Sequence, residues 1–244
     1  YDDSRREYGI RCADHLAEHT PEITVNMEDR LMPLAAGWAA GTLYNYGLFE
    51  ENQEYLEAAL RIGAEVKAWI DEDPDRLNRN EIWALCGGTA MWGVLQSIGK
   101  ADSAETADWA VETLENMDVI AGNGQWNSSW NIWYAHAWIA ANELVGANEY
   151  LGNAEFIVDS LLALDTDGDG GIPATIGDAD NRDQSWVTAY TAWMGLTNLF
   201  EILPAVNVGM GELLSPALDR PWPVEFPLWL NFTVQNMGYL DVVE

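Results

Sequence analysis

Basic residues are scarce in this sequence, and lysine is the scarcest of them. The 244 residues include 11 Lys and Arg against 40 Asp and Glu, which gives a net charge of −29 at pH 7. A protein that binds nucleic acid uses Lys and Arg to displace the counterions of the phosphate backbone, and an anionic membrane surface attracts basic segments. The composition therefore argues against nucleic acid and against a membrane surface as partners.

The excess of carboxylates also indicates the kind of surroundings in which the protein functions. It fits a halophilic protein, because concentrated salt screens the repulsion among like charges, and it fits an acidic secreted protein. Two short acceptor patterns for N-glycosylation, Asn127-Ser128-Ser129 and Asn231-Phe232-Thr233, favour export weakly. We expect the protein to be secreted or to lie at the cell surface.

Cysteine is scarce as well. Cys12 and Cys86 are too few for a disulfide framework and lack the spacing of a metal site. A bridge between them is the less favoured alternative. We expect two small apolar side chains in the core.

Long hydrophobic runs are limited to residues 31–49 and 82–99. Neither run carries a charge, but they contain Pro33, Asn45 and Gln96, and a charged amphipathic segment follows each one. This pattern is typical of buried helices in a globular fold. We predict no transmembrane segment.

Apolar and aromatic side chains, in contrast, are abundant. Hydrophobic residues make up 48% of the chain, and 13 residues are Trp, which is more apolar surface than a disordered chain carries. Four charge-free segments each place a Trp at a similar depth, about 50 residues apart, as a repeated two-helix unit would. The segments are residues 31–49, 82–99, 130–142 and 184–200, with Trp38, Trp92, Trp138 and Trp193.

Amphipathic segments alternate with these four. In residues 51–71, Leu56 and Ile70 fall on an apolar helical face, and residues 102–114 and 150–164 repeat the pattern. A charge-free helix is expected to be buried on all sides, whereas an amphipathic helix buries one face and exposes the other to water. We therefore predict an all-α, α/α toroid-like fold, a partial ring of about four helical hairpins with inner Trp-bearing and outer amphipathic helices. The glycines expected to end the inner helices are Gly47, Gly99 and Gly146.

The predicted α/α repeat domain covers residues 1–206. The remaining residues, 207–244, contain Pro216, Pro221, Pro223 and Pro227. Proline-rich composition predicts an extended C-terminal strap, with one further helix near its end, packed on the same domain.

Two glycine-rich stretches lead into inner helices. The first is Gly122-Asn123-Gly124-Gln125-Trp126, and the second is Gly168-Asp169-Gly170-Gly171-Ile172, followed by Gln184-Ser185-Trp186. They resemble the QW-type repeats of the terpenoid cyclase and prenyltransferase toroid superfamily, in which a glycine-rich turn and a Trp precede an inner helix. The resemblance implies the α/α toroid architecture, which also hosts glycosidases and polysaccharide lyases. Residues 178–183 depart from the D-x-D-D motif of a cyclase, and Cys86 with His136 does not reproduce the zinc site of a prenyltransferase.

The strongest chemical signal is a run of alternating carboxylates. Residues 165–171 read DTDGDGG, like the first half of an EF-hand calcium loop. Ile176 stands in place of the bidentate Glu, so a complete EF-hand is excluded. Calcium needs six to eight oxygen ligands, and a later Asp, either Asp180 or Asp183, could supply one; the alternative is a solvated acidic turn. The predicted Ca²⁺ site consists of Asp165, Asp167, Asp169, Gly171 and Asp178.

If the inner helices run in one direction, the loops that precede them open on one face. These loops carry carboxylates, guanidinium groups, amides and Trp rings, a combination that suits the hydroxyls and C–H faces of a sugar. Core packing is the expected role of the four repeated Trp residues, whereas packing and binding are equally open for Trp126 and Trp130. Helix capping is the alternative for the charges. The predicted substrate-binding residues are Arg30, Arg79, Trp126, Trp130, Arg182 and Trp186; the predicted catalytic residues are Glu81, His136 and Asp183.

Histidine occurs three times. His136 lies on an inner helix, where it could serve as an acid or base or as a hydrogen-bonded core residue. His15 and His19 have the i,i+4 spacing of a metal-binding pair on the first outer helix, but no third ligand is evident, so ordinary surface placement is favoured over metal binding.

Two functions from different classes follow. One is an extracellular calcium-binding module that binds glycan or serves as a structural subunit assembled with other extracellular chains. The other is a secreted carbohydrate-active enzyme, either a glycoside hydrolase with a pair of carboxylic acids or a polysaccharide lyase. The module is favoured, because no pair of residues in the sequence demands a reaction.

Overall fold

The computed structural model describes the chain in two compact units, Tyr1–Phe200 and Glu201–Glu244. Their border lies close to the predicted one between residues 206 and 207. Packing of the C-terminal tail on the helical domain stays a prediction. The described residues are 3–29, 31–73, 75–79, 81–117, 129–146, 148–173, 183–193, 208–215 and 231–236.

The described part of the first unit is built from helices and the loops between them, so the all-α prediction is confirmed there. Closure of these helices into a toroid ring stays a prediction. A π-helical turn, Leu95–Gly99, continues α6, and a 3-10 turn, Ser129–Asn131, precedes α8. The helices are α1 (Asp3–Glu18), α2 (Thr20–Thr24), α3 (Met32–Glu50), α4 (Gln53–Asp71), α5 (Arg76–Arg79), α6 (Glu81–Val94), α7 (Ser103–Glu115), α8 (Ile132–Val145), α9 (Asn148–Leu162) and α10 (Ser185–Trp193).

The four predicted inner helices are α3, α6, α8 and α10. Gly37, in the second turn of α3, lies so close to the middle of α6 that a Cβ on Gly37 would collide with the carbonyl oxygen of Thr89. A Cβ on Gly88 of α6 would lie 2.5 Å from the carbonyl carbon of Trp133 in α8. Glycine is required at such positions, because any side chain would separate the two backbones.

A ladder of polar side chains joins the same helices near their C-terminal ends. The Asn45 amide donates to Gln96 Oε1 at 3.0 Å, and Gln96 Nε2 donates to Glu143 at 2.9 Å. Lys100 Nζ donates to Asn45 Oδ1 at 2.7 Å, which places a cation at the negative end of the helix dipoles. The contacts advance in the same direction along both partners, from Gly37–Thr89 to Asn45–Gln96 and from Gly88–Trp133 to Gln96–Glu143. The helices α3, α6 and α8 therefore run parallel.

The amphipathic helix α4 packs against α3. Its Ala58, Ile62 and Val66 are fully buried, whereas the intervening charged residues face water. Asn52 begins the helix, because its side chain accepts hydrogen bonds from the backbone N–H groups of Glu54 and Tyr55. This part of the alternation between inner and outer helices is as predicted.

The helix ends differ in part from the prediction. Gly146 ends α8 with a φ of 69°, as expected. Gly47 lies inside α3, where it packs against Leu56, and the left-handed position after α3 is taken by Glu51 with a φ of 53°. Gly99 lies in the π turn rather than after it. The prediction that Gly47 and Gly99 end inner helices was therefore wrong, because both lie within helical turns.

In the second unit the described residues form an antiparallel pair of strands. Strand β1 is Val208–Ser215 and β2 is Asn231–Asn236, with Val208 opposite Asn236 and Ser215 opposite Asn231. The pairing is irregular after Met210. The strands agree with an extended tail. The further helix predicted near its end is not found at residues 231–236, which form β2, and residues 237–244 lie outside the described ranges.

None of the described helices combines the length and the apolar character that a membrane crossing requires.

Both cysteines are free. Cys86 is buried, and burial raises the pKa of its thiol to about 12, whereas Cys12 is exposed. The prediction of a core position was therefore wrong for Cys12, which lies on the solvent side of α1.

Candidate functional site

Four tryptophans meet at the N-terminal parts of α3, α8 and α10. The ring of Trp133 lies 5.0 Å from Trp130, 5.5 Å from Trp186 and 6.0 Å from Trp38, measured between ring centroids. Trp133 itself is buried, whereas Trp38 is 43% exposed and Trp186 is 38% exposed. We call this group, Trp38, Trp130, Trp133 and Trp186, the tryptophan face. Its exposed rings surround one buried ring that holds them together.

Core packing was the expected role of the four repeated tryptophans, and it is confirmed for Trp138, which is 5% exposed. It is wrong for Trp38 and Trp193, which are 43% and 47% exposed. Trp92 is half-buried. The repeat interval fixes the depth of a residue along its helix but not its rotation about the helix axis, so equivalent positions in the sequence point in different directions.

His136 lies one turn beyond Trp133 on α8, and Tyr190 lies one turn beyond Trp186 on α10. The Tyr190 hydroxyl is 2.8 Å from His136 Nδ1. The imidazole is stacked on Trp92, with the ring centroids 4.8 Å apart, and meets Trp193 edge-on at 5.7 Å. These contacts also show that α8 and α10 run parallel, as the other inner helices do.

The electrostatics of this pair favour a neutral hydrogen bond. Burial lowers the pKa of His136 to about 4, and burial also raises the pKa of Tyr190. At pH 7 the imidazole is therefore uncharged and the phenol keeps its proton. The pair is suited to positioning α10 against α8, and a role as general acid or base would need a ligand that changes these pKa values.

The acidic loop, residues 165–171, is folded around its own carboxylates. Asp165 accepts hydrogen bonds from the N–H groups of Gly168 at 2.8 Å and Gly170 at 3.0 Å, and Asp169 accepts from Gly171 at 2.8 Å. Gly168 and Gly170 have φ values of 75° and 91°, which explains why glycine is needed there. Carboxylate oxygens of Asp165, Asp167 and Asp169 lie within 4.8 Å of one another.

Asp183 approaches this loop from the start of α10. A Cβ on Gly171 would collide with its carboxylate, so the carboxylate lies directly against Gly171. Local desolvation and the charges of Asp169, Asp167 and Asp165 raise the pKa of Asp183. An additional positive charge among these carboxylates would relieve their repulsion. The structure thus brings Asp183, a predicted catalytic residue, to the predicted metal ligands.

Backbone hydrogen bonds connect the acidic loop to α10. Ile172 is buried; its carbonyl accepts from the Gln184 N–H at 2.9 Å, and its own N–H donates to Thr188 Oγ1 at 3.0 Å. Pro173 and Asp183 form an isolated bridge. Since Trp186 follows in the first turn of α10, the position of the loop helps to fix one edge of the tryptophan face.

The remaining predicted site residues are not brought together by the described structure. Glu28, in the turn before α3 and close in sequence to the predicted Arg30, accepts a hydrogen bond from Trp69 Nε1 on the outer helix α4 at 3.0 Å. Arg79 and Glu81 lie in α5 and α6, but their side chains are not described. Four residues fall outside the described ranges: Arg30, Trp126, Asp178 and Arg182.

Sequence reasoning missed the pairing of His136 with Tyr190 and the exposure of Trp38. A signal for the pairing existed, because Trp133 and His136 are three residues apart and Trp186 and Tyr190 are four apart, which places each pair on one helical face. No comparable signal existed for Trp38.

No protein-family model matches this chain. No curated protein and no solved structure matches it either. The comparisons with known proteins therefore do not assign the chain to a family.

Proposed function

We propose that the protein is an extracellular glycan-binding module, and that the tryptophan face is where the glycan binds. The observation that supports this proposal is the partial exposure of Trp38 and Trp186 around the buried Trp133. Exposed large aromatic rings in a contiguous group are typical of binding sites rather than of an ordinary surface. The flat apolar C–H face of a pyranose stacks on such rings.

The charge of the protein restricts the type of glycan. A net charge of −29 repels a polyuronate or a sulfated chain. Nucleobases also stack on tryptophan, but the phosphate backbone that carries them is disfavoured for the same reason. A neutral polysaccharide is therefore the proposed ligand.

We further propose Ca²⁺ as the cofactor of the acidic loop. Asp165, Asp167 and Asp169 offer carboxylate oxygens at short mutual distances, and Asp183 adds a fourth carboxylate. Hard oxygen ligands of this kind suit Ca²⁺ better than they suit a transition metal. Its role would be to order the loop that leads into α10, and the carbonyl of Gly171 and the carboxylate of Asp178 remain candidates for further ligands.

A panel of insoluble and soluble neutral polysaccharides tests the proposal. We expect retention on at least one of them, with quenching or enhancement of tryptophan fluorescence. Trp186→Ala and Trp38→Ala should each weaken binding about tenfold, a loss at the lower end of the about 1–3 kcal/mol that removal of one stacking ring costs for a nucleobase. Phe156→Ala removes a 63% exposed aromatic side chain on α9 and should have no effect. Equal retention of all three variants, or retention on no member of the panel, would refute the proposal that the tryptophan face binds a glycan.

A carbohydrate-active enzyme is the second candidate, and the pairing of Tyr190 with His136 one turn beyond the tryptophan face is the observation that favours it. The same panel distinguishes the two. New reducing ends or unsaturated products, lost in Tyr190→Phe while retention persists, would indicate catalysis. Self-association or capture of another extracellular chain without glycan retention would instead indicate a structural subunit.

A further inference from the structure

Two imidazole rings lie side by side at the C-terminal end of α1, and neither histidine belongs to the proposed glycan or calcium site. The ring centroids of His15 and His19 are 4.1 Å apart, and the ring planes are inclined by 36°. His15 is exposed and His19 is half-buried. The i,i+4 spacing on a helix presents both side chains on the same face.

The protonation of His19 can be assigned from its contacts. Its Nδ1 lies 2.8 Å from the carbonyl oxygen of His15. A carbonyl oxygen only accepts hydrogen bonds, so Nδ1 carries the proton, and in the neutral ring the lone pair is on Nε2. The same carbonyl also accepts from the backbone N–H of His19 at 3.1 Å. The ring is thereby held in one tautomer and one orientation.

This arrangement is the one found around metal-ligating histidines, which usually donate the second ring N–H to a carbonyl or carboxylate. The C-terminal end of a helix and a strongly acidic protein both favour a cation at this position. Imidazole nitrogen is a ligand for Zn²⁺, Ni²⁺ and Cu²⁺, whereas Ca²⁺ prefers oxygen.

We propose that His15 and His19 form a two-imidazole site for a late first-row divalent metal ion, with water in the remaining coordination positions. The two side chains supply neighbouring positions of a tetragonal site. Among these ions Cu²⁺ binds most tightly and Ni²⁺ and Zn²⁺ less so, following the general order of divalent affinities.

Titration of the whole chain with CuCl₂ and with NiCl₂ tests the site. The measurement is made in a non-coordinating buffer containing excess CaCl₂, so that the acidic loop is not a competing site, and on a Cys12→Ser background, because a nearby exposed thiol would bind and reduce Cu²⁺. His15→Gln and His19→Gln should each weaken Cu²⁺ binding about tenfold or more. Glu18→Gln, which removes an adjacent carboxylate, is the control and should change the affinity less than threefold.

Electron paramagnetic resonance distinguishes ligation of Cu²⁺ by the two imidazoles from a general electrostatic attraction of Cu²⁺ to the acidic protein. The Cu²⁺-loaded protein should show hyperfine coupling to two nitrogens, and each single variant should show coupling to one. Circular dichroism verifies that the variants remain helical. Absence of stoichiometric Cu²⁺ binding, or unchanged affinity and unchanged nitrogen coupling in both histidine variants, would overturn the proposal.

Discussion

The hydroxyl of Tyr190 and Nδ1 of His136 lie 2.8 Å apart and connect α10 to α8 just beyond the tryptophan face. This hydrogen bond is formed where Trp92 and Trp193 shield the imidazole. A protonated imidazole is disfavoured there, which makes the pair a source of pH dependence in the stability of the fold.

The sign of that dependence follows from the pKa of His136, which is about 4 in the folded protein and about 6.5 in an unfolded chain. Between these values the unfolded state binds more protons, so the contribution of His136 to stability is complete above pH 6.5 and is lost as the pH falls towards 4. At about 1.36 kcal/mol per pKa unit, the loss is roughly 3 kcal/mol.

His136→Phe removes this loss. At pH 7 we expect the variant to be less stable than the wild type by about 1 kcal/mol, because Tyr190 loses its partner. As the pH falls to 4.5 the difference should shrink and then reverse. Chemical denaturation at constant high salt measures the difference in the free energy of unfolding at each pH. A difference between His136→Phe and the wild type that does not change with pH would contradict the assignment.

Gln96 is the central member of the polar ladder near the C-terminal ends of the inner helices. It is 5% exposed and bonds to Asn45 and Glu143 at once. Gln96→Leu should lower the free energy of unfolding by about 2 kcal/mol, since two hydrogen bonds are lost and one partner stays partly buried. Gln53→Leu, on the exposed start of α4, should cost less than about 0.5 kcal/mol. Equal costs in urea denaturation would show that the ladder contributes nothing specific.

In the acidic loop, the effect of Asp169→Asn on the melting temperature should change sign when calcium is added. Without Ca²⁺, Asp169→Asn removes a charge from a repelling group and should raise the melting temperature by a few degrees. With Ca²⁺ at about 100 times its Kd, the wild type gains about 2.7 kcal/mol and the variant gains less, so their order reverses. Asp159→Asn removes an exposed carboxylate on α9 and serves as the control. Thermal melts that are identical with CaCl₂ and with EGTA would exclude the calcium site.

The sequence predicted the helices well because their signals are local. The absence of charge marked α3, α6 and α8, and the periodicity of apolar residues marked α4, with ends within a few residues of those observed. These features depend on neighbours along the chain and on burial of one face. The same local reasoning was wrong for Gly47, because the close approach of Leu56 depends on how two helices pack.

The site could be predicted only in part. The DTDGDGG motif specified the acidic loop, since the ligating side chains and the glycines that turn the chain are adjacent in sequence. The contact of Asp183 with Gly171 depends on the pairing of residues distant in sequence, Pro173 with Asp183. The exposure of Trp38 depends on the rotation of a whole helix, α3, about its axis. Composition and spacing do not determine that rotation, because a charge-free helix has no polar face to orient it.

The parallel packing of α3 and α6 leads to the most direct test of the helical array. A Cβ on Gly93 would collide with the backbone carbonyl of Gly37, and backbone cannot move aside as a flexible side chain can. Gly93→Ala should therefore separate the two helices and destabilise the protein by about 2–3 kcal/mol. Gly152, in the exposed part of α9, has no atom near the corresponding position. Gly152→Ala should stabilise the protein by about 0.5–1 kcal/mol through helix propensity. Urea denaturation of both variants measures the contrast. Stabilisation by both substitutions would mean that α3 and α6 do not pack as closely as described.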